Sequence, residues 1–182
     1  MVSMAAVIGL SFTASAQILI VDDDRVEREA AAYKDFNLQT GEIRQNILQI
    51  RNFIARGGAV EQQLADLEKR KSIIGNDKYE EEKKKLEGQY VQAQRSLGVL
   101  EYTFDNLRKE AMVQVERARL PVIRTLLKDH NAKVIMLKRL VLGSAAGIDI
   151  TTEFIEKLDA ELPSVSIKLP EKAAAAPAAD KK

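Results

Sequence analysis

The chain has 182 residues and a formal net charge of +1, so no overall field selects nucleic acid or an anionic membrane. Charged residues make up 30% of the chain with both signs interspersed, which fits long solvated helices better than one large compact core. The sequence has no Cys and one His, which excludes disulfides, thiolate metal sites and cysteine nucleophiles.

The first sixteen residues have the pattern of a secretory signal peptide. A short apolar run over residues 4–12 precedes Ala14-Ser15-Ala16, the small-residue pattern of a cleavage site. The run is too short to span a bilayer. No Lys or Arg precedes it, so either the true start lies upstream of Met1 or the signal-peptide interpretation is wrong, in which case a buried N-terminal helix is the alternative. We expect cleavage after Ala16.

A buried strand is predicted at the start of the mature chain. Ile18-Leu19-Ile20-Val21 is a run of branched apolar residues, typical of a strand covered on both faces. Asp22-Asp23-Asp24 ends the strand and offers caps for a following helix. The same residues resemble the opening of a response-regulator receiver domain, whose paired acids hold magnesium. That alternative requires alternating strands and helices, whereas the following residues are helical and heptad-patterned, so we favour the capped strand end.

The first limb of a long helical arm is predicted from residue 42 onwards. A helix over residues 25–37 precedes it, and Thr40-Gly41 predicts a kink between the two. Gly57-Gly58 interrupts the limb, because Gly costs about 1 kcal/mol relative to Ala in a helix. We interpret this pair as an arm hinge. The apolar positions of the limb are Ile43, Ile47, Ile50, Ile54, Val60, Leu64, Leu67 and Ile74.

The second limb, residues 77–120, carries a heptad seam. Its apolar positions are Tyr79, Leu86, Tyr90, Ala93, Leu97, Leu100, Phe104, Leu107 and Ala111. Steps of four and three residues indicate a coiled coil, which requires a partner helix. Gly75-Asn76-Asp77 is a reversal pattern, with Asp77 as the expected cap of the returning helix. The partner is therefore predicted to be the first limb, in an antiparallel hairpin.

The tip of this hairpin is rich in cations, namely Lys69, Arg70, Lys71, Lys78, Lys83, Lys84 and Lys85. Glu80 to Lys84 and Glu81 to Lys85 have the favourable spacing for ion pairs along a helix. The mixed signs favour a solvated, self-paired helix end. The alternative is a basic arm tip that contacts anionic lipid or lipopolysaccharide.

The remaining elements predict a small packed body. Pro121 is expected to end or kink the arm helix, and an apolar helix follows it up to His130, which we interpret as a helix-end residue. Strands are predicted at residues 134–137 and 140–142, followed by a helix with Asp149 or Thr151 as its cap. Val165 and Ile167 suggest a short edge strand. From residue 171 the Ala/Pro/Lys tail is predicted to be disordered.

This order of elements resembles the Skp/OmpH family of periplasmic chaperones. The resemblance covers residues 17–170 and rests on architecture and short patches. The patches are Ile18-Leu19-Ile20-Val21-Asp22 with Arg25-Val26, Leu120-Pro121-Val122-Ile123, His130-Asn131-Ala132-Lys133-Val134-Ile135-Met136 and Ile148-Asp149-Ile150-Thr151. The ending Leu162-Pro163-Ser164-Val165-Ser166-Ile167 is similar to members from alphaproteobacteria.

The resemblance implies a mainly α protein with a small β body: three chains join through short strands, and three antiparallel hairpin arms project like the tentacles of a jellyfish. Unfolded outer-membrane β-barrel proteins would be held between the arms without ATP or any cofactor, in the periplasm of a Gram-negative bacterium. Exposed strand edges independently favour pairing between chains. The expected oligomerisation residues are Ile18, Leu19, Ile20, Val21, Val134, Ile135, Met136 and Leu137.

The predicted domains follow from this organisation. Residues 1–16 form the signal peptide, 17–41 and 121–170 the body, 42–120 the arm with its tip near 75–77, and 171–182 the tail. Two departures from the family are the near-neutral charge and Lys138-Arg139 after the second strand, where many members carry an acid. We therefore transfer no lipopolysaccharide-binding residues.

Two other function classes compete with a chaperone. One is a structural or adaptor coiled-coil protein of the cell envelope. The other, an enzyme, is disfavoured because a single His and no Cys give no nucleophile–base pair or metal cluster. We expect no catalytic, metal or cofactor site and no nucleic-acid partner.

Overall fold

A computed structural model describes residues 17–170. The predicted signal peptide and the predicted disordered tail both lie outside the described residues. The elements are strand β1 (Gln17–Val21), helices α1 (Asp23–Glu29), α2 (Ala31–Gln39), α3 (Gly41–Ile54), α4 (Ala59–Ile74) and α5 (Asn76–Asp129), strand β2 (Ala132–Leu137), a 3-10 turn (Lys138–Leu140) and helix α6 (Thr151–Glu161). The mainly helical class with one long helix and a small sheet is confirmed.

The arm is an antiparallel hairpin with α3 and α4 as one limb and the central part of α5 as the other. Three contacts between α5 and the preceding helices fix its direction. The tilted rings of Phe36 and Phe104 pack at the base with their centroids 5.8 Å apart, Arg51 lies 2.6 Å from Glu101, and Arg70 lies 3.7 Å from Glu82. Because the residue numbers rise on one side as they fall on the other, the limbs run in opposite directions.

A single residue, Gly75, reverses the chain at the tip. Its φ of 87° lies in the left-handed region, which glycine adopts without the steric cost that a side chain imposes. Asp77 is not the cap that the sequence predicted. It lies inside the first turn of α5, where its negative charge still favours the positive end of the helix dipole.

The long seam of α5 buries the side chains that face α3 and α4. The buried residues of the helix are Tyr79, Ala93, Leu100, Leu107, Ala111, Val115, Ala118, Val122 and Leu126. Five of these belong to the predicted seam, whereas Leu86, Leu97 and Phe104 are half-buried and Tyr90 is exposed. The seam continues past residue 111 into the body, because the same helix serves both.

The predicted end of the arm helix at Pro121 is wrong, since α5 continues through Pro121 to Asp129. Pro121 cannot donate to the carbonyl of Arg117 one turn earlier. Both residues are exposed, so that carbonyl faces water instead of a dry interior. The proline therefore leaves no buried polar group unsatisfied, and the helix tolerates it.

Helices α1 to α4 are separated by three breaks, of which the sequence predicted two. The predicted kink at Thr40-Gly41 separates α2 from α3, and Gly57-Gly58 separates α3 from α4. The predicted single helix over residues 25–37 is wrong, because it divides at Ala30 into α1 and α2. There the backbone N–H of Ala31 donates to Asp159 at 2.7 Å, a contact with α6 that replaces a helical hydrogen bond.

The body is a two-stranded parallel sheet covered by α5 and α6, with α1 packed against α6. β1 pairs with β2, and on its other side Ile20 exchanges backbone hydrogen bonds with Ile148 and Ile150 at 2.9 and 3.0 Å. β1 is therefore the inner strand, which explains why Leu19, Ile20 and Val21 are almost completely buried. β2 is the edge strand.

Two predicted strands of the body are wrong. Residues 138–140 form a 3-10 turn and residues 141–142 have no regular structure, so no strand forms at 140–142. The predicted edge strand at Val165 and Ile167 is also not formed. There Gln114 takes up both backbone polar groups of Ser166, at 2.7 and 2.9 Å, in place of a neighbouring strand.

Candidate functional surfaces

The predicted oligomerisation residues lie together in the sheet. The register pairs Ile18 with Val134, Leu19 with Ile135, Ile20 with Met136 and Val21 with Leu137. Those of β1 other than Ile18 are buried inside the chain, whereas the β2 residues are half-buried or exposed. The exposed apolar surface of the sheet is therefore formed mainly by β2, together with Ile18 at the start of β1.

The surface next to β2 is apolar as well. Leu140 is 66% exposed and Leu142 is fully exposed, immediately after the strand ends. β2 has no second strand beside it within residues 17–170, so the backbone groups of its outer edge are open to pairing. An open strand edge next to exposed leucines is the kind of surface that natural proteins cover with another chain.

A polar cluster holds the C-terminal end of β2 to the start of α6. Lys138 lies 3.0 Å from Asp149 and 3.7 Å from Asp22. Asp149 also accepts hydrogen bonds from the hydroxyl and the backbone N–H of Thr151. The hydroxyl bond, then the bond from Lys138 and then the backbone bond lower the pKa of Asp149 to about 2, against the opposing effect of burial. The predicted cap of α6 is wrong, because the N-cap is Ile150 and neither Asp149 nor Thr151 takes that position. Asp149 instead precedes the cap and accepts the N–H of Thr151, the first residue of the helix, while Lys138 pairs with Asp149 at this junction.

A half-buried ion pair that the sequence did not reveal joins the base of α5 to α1. Arg119 lies 2.5 Å from Asp23, and its guanidinium sits 5.4 Å from the ring centroid of Phe154. The Arg119 side chain is only 13% exposed. Burial disfavours the cation, but the hydrogen bond from Arg119 to Asp23 and the attraction of nearby negative charge outweigh it, so the Arg119 pKa is raised. The position of Arg119 in the heptad pattern does not predict this ion pair.

His130 also has a structural position. Its Nε2 lies 2.7 Å from a carboxylate oxygen of Glu153, and Lys157 bridges Glu153 to Asp129 at 3.7 and 3.2 Å. These contacts tie the C-terminal end of α5 to α6. His130 caps α5, in keeping with its interpretation as a helix-end residue. No group of acidic, His or Cys side chains within residues 17–170 is arranged to hold a metal ion.

The cationic residues of the arm tip form ion pairs other than those that the sequence predicted. The pairs Glu80 to Lys84 and Glu81 to Lys85 are not among the ion pairs of residues 17–170. Lys69 instead binds Asp66 at 3.0 Å, and Arg70 reaches Glu82 on the other limb at 3.7 Å. The tip is thus partly self-paired across the hairpin.

Tyr79 is the anchor of the tip. Its hydroxyl donates to Glu68 on the other limb, and Lys71 lies 4.2 Å above its ring centroid. The hydrogen bond to Glu68 is the main reason that the pKa of Tyr79 is raised to about 12. Lys71, which the sequence placed among the basic residues of the tip, therefore helps to close the hairpin end.

The predicted hinge residues differ in their surroundings. Gly57 has a φ of 73° and open space around its Cα, whereas a Cβ on Gly58 would lie 2.5 Å from the carbonyl oxygen of Asn52. The link is held by the Gly58 N–H donating to Ala55 at 2.8 Å and by Gln62 donating to Gly57 at 2.7 Å. Next to it lies an open apolar groove between the limbs, formed by Ile54, Val60, Leu64 and Tyr90.

No protein-family model matches the chain, and no curated protein matches it in sequence. A solved structure does match: a protein of Caulobacter crescentus described as an OmpH-like outer membrane chaperone, with a TM-score of 0.57 and 16% sequence identity. The match covers 94% of this chain and 100% of the other.

The chain has the OmpH-like fold. At 16% identity the match shows a shared fold. No helix within the described part of the chain has the length and apolar character required to cross a membrane.

Proposed function

We propose that the chain is an ATP-independent holdase chaperone of the Skp/OmpH family, of the alphaproteobacterial type. It would bind unfolded outer-membrane β-barrel proteins in the periplasm and prevent their aggregation before membrane insertion. The observation that carries this proposal is the fold shared with the OmpH-like chaperone of Caulobacter crescentus over almost the whole of both chains. In this proposal the protein is not an enzyme and uses no cofactor.

The division of the chain into a small body and a long arm supports holdase activity. The two limbs of the arm face each other through one seam, so much of the surface of α3, α4 and α5 is left to the solvent on all other sides. A long two-helix arm encloses no apolar volume of its own in which a small substrate could be buried. It does present a large surface, which suits many weak contacts with a long, unfolded client.

The proposed assembly is a homotrimer, with residues 17–41 and 121–170 as its body and residues 42–120 as its arm. Support comes from the open edge of β2 and from the exposed leucines that follow it. A two-stranded sheet is marginal by itself, and pairing of β2 with another chain extends it. Flexing at Gly57-Gly58 would let the arms enclose clients of different size.

We propose separately that the arm tip contacts an anionic surface. Lys78, Lys83, Lys84 and Lys85 form no ion pair within residues 17–170, which supports an electrostatic contact of the tip with anionic lipid or lipopolysaccharide. Vesicles with and without an anionic lipid would test it by co-sedimentation. Binding that does not depend on the anionic lipid would contradict this contact and leave the chaperone proposal intact.

The holdase activity is tested by aggregation of a urea-denatured porin after dilution, followed by light scattering. We expect the mature protein to suppress aggregation at one trimer per porin without ATP. No suppression at several trimers per porin would contradict the proposal. Crosslinking in cells separates the alternative, because an envelope adaptor would join one folded partner and a holdase would join many unfolded β-barrel proteins.

A further inference from the structure

The outer face of α5, turned away from α3 and α4, carries an exposed apolar stripe. We define the outer stripe as Val91, Val99, Tyr102, Val113 and Leu120, which are 44, 62, 71, 50 and 55% exposed in that order. At about 3.6 residues per turn these positions fall within a sector of about 80°, opposite the buried seam. The stripe is therefore one line along the helix, with spaces between its apolar residues, and not a scatter of exposed residues around it.

Cationic residues fill the spaces in the outer stripe. Arg95, Lys109 and Arg117 lie in the same sector and are exposed. None of them belongs to an ion pair within residues 17–170, although the structure forms such pairs elsewhere on the arm. Of the acids at the margin of the stripe, Glu116 is engaged with Arg119 at 3.7 Å. Glu110, also at the margin, forms no ion pair within residues 17–170. With three cations inside the sector and two acids at its margin, the stripe combines apolar side chains with a small excess of positive charge.

Two glycines on this face have no role inside the chain. Gly88 and Gly98 lie in the interior of α5, where glycine is a poor helix former. A Cβ at either position would meet nothing within 4 Å, so no packing contact of the hairpin requires them. Gly88 lies in the same sector one turn before Val91, and Gly98 lies at the margin of the outer stripe; at both, the lack of a side chain lets another backbone approach the helix closely.

The spacing of the stripe decides which kind of partner fits. A second helix requires apolar residues every three to four positions, whereas the outer stripe has steps of eight, three, eleven and seven residues. A helix from another copy of this chain would also cover Arg95 and Lys109 without providing a matching apolar seam. An unfolded chain adapts to irregular spacing, and its carboxylates can reach the cations between the apolar contacts.

We propose that the outer stripe is the surface that binds client polypeptide, as an extended segment with apolar residues on one side and acidic residues near them. The inference rests on the proposed holdase function and names the part of the arm that performs it. The stripe is about 44 Å long at about 1.5 Å per residue. An extended segment of roughly thirteen residues covers that length at about 3.3 Å per residue, comparable to one strand of a membrane β-barrel.

The test compares three variants of the mature protein in binding a fluorescently labelled, urea-denatured porin. The stripe variant carries Val91→Gln, Val99→Gln, Tyr102→Gln and Val113→Gln, and the charge variant carries Arg95→Gln, Lys109→Gln and Arg117→Gln. The matched control carries Leu48→Gln and Ile73→Gln, which are 59% and 82% exposed on the other limb. Gln is a good helix former and all these positions are exposed, so circular dichroism should remain unchanged.

The stripe variant should bind the porin at least about tenfold more weakly, because several apolar contacts are lost together. The charge variant should lose most of the salt dependence of binding. The control should bind as the unmodified protein does. Equal weakening by the control, or unchanged binding by the stripe variant, would overturn the inference while the holdase function stands.

Two further outcomes are informative. If the unmodified protein does not bind the porin, the proposed function fails and the inference fails with it. If the stripe variant changes the oligomeric mass of the protein without a client, the stripe is a contact between copies of this chain, which also overturns the inference. A photo-crosslinker in place of Tyr102 should join to the porin, and one in place of Leu48 should not.

Discussion

The arm and the body of this molecule are held together in different ways. Limbs α3 and α4 meet α5 along one seam, and their polar contacts, such as Arg51 to Glu101, are exposed. The body joins residues far apart in sequence through half-buried bonds, including Asp35 to the Val165 N–H at 2.9 Å. The arm can therefore loosen locally while the body, which sets the position of the arm, stays folded.

The buried apolar residues also differ between the body and the outer half of the arm. One contiguous apolar cluster extends from β1 and α6 up the arm as far as Ile50 and Ala93. Val60, Leu67 and Tyr79 are buried nearer the tip but lie outside that cluster. The outer half of the arm therefore depends on its own small set of contacts, which few neighbours support.

The largest effect is expected from removing a buried leucine in the body. Leu158→Ala in α6 should lower the free energy of unfolding by about 3–5 kcal/mol, because the surrounding cluster cannot close the cavity. Leu67→Ala in the arm removes the same atoms and should cost only about 2 kcal/mol, since two helices can move together. Urea unfolding measures both. Equal losses would mean that arm and body form one cooperative unit.

A smaller effect is expected from the ion pair at the base of α5. Arg119→Met leaves Asp23 in a half-buried position without its cation and should cost about 2 kcal/mol. The matched change in the arm, Arg51→Met, breaks an exposed pair and should cost at most about 0.5–1 kcal/mol. Adding Asp23→Asn to Arg119→Met should recover part of the loss. A double-mutant cycle without coupling would contradict the assigned role.

The hinge is expected to respond more weakly still. Gly58→Ala places a Cβ 2.5 Å from the Asn52 carbonyl oxygen, so the link between α3 and α4 must shift, at a cost of about 1–2 kcal/mol. Gly41→Ala is the control, because a Cβ there meets nothing within 4 Å. Hydrogen exchange should become faster in α4 and stay unchanged in α6. Faster exchange in α6 would show that the hinge is coupled to the body.

The smallest expected effects concern the dependence of stability on pH. One occurs at acidic pH and the other at alkaline pH. Asp149 in the body has a folded pKa lowered to about 2, so its contribution is complete above the unfolded value of 3.8 and is lost as the pH falls towards 2. Tyr79 in the arm has a folded pKa raised to about 12, so its contribution is complete below 10 and is lost as the pH rises towards 12.

Substitutions can separate these two contributions to the pH dependence of stability. Asp149→Asn should flatten the stability of the body between about pH 4 and pH 2, and Tyr79→Phe should flatten that of the arm between about pH 10 and pH 12. Thermal unfolding across pH, followed with a probe in each region, measures both. If either substitution leaves its slope unchanged, the hydrogen bonds of that residue do not set its pKa.

Local patterns in the sequence predicted the elements whose cause is local. The apolar run at residues 18–21, the heptad seam and Gly75 led to the inner strand, the hairpin and its turn. The two strands at residues 18–21 and 134–137 were also located correctly, although no sequence pattern indicated that they pair in parallel within one chain.

The elements that the sequence predicted wrongly depend on the tertiary structure, through residues that are far away in sequence. The break at Ala30 depends on Asp159, and no propensity predicts it because alanine is the best helix former. Pro121 stays within α5 because its face is turned to solvent, which the tertiary fold decides. Residues 140–142 have no neighbouring strand within the described chain, so their apolar character alone does not make a strand.

Long hairpin arms that project from a small body joining several chains are the basis of the proposed function. Small-angle scattering combined with a solution mass of the mature protein is the decisive test of this arrangement. We expect the mass of three chains and an elongated scattering profile with arms extending from a compact centre. A compact particle with the mass of one chain would contradict both the assembly and its proposed function.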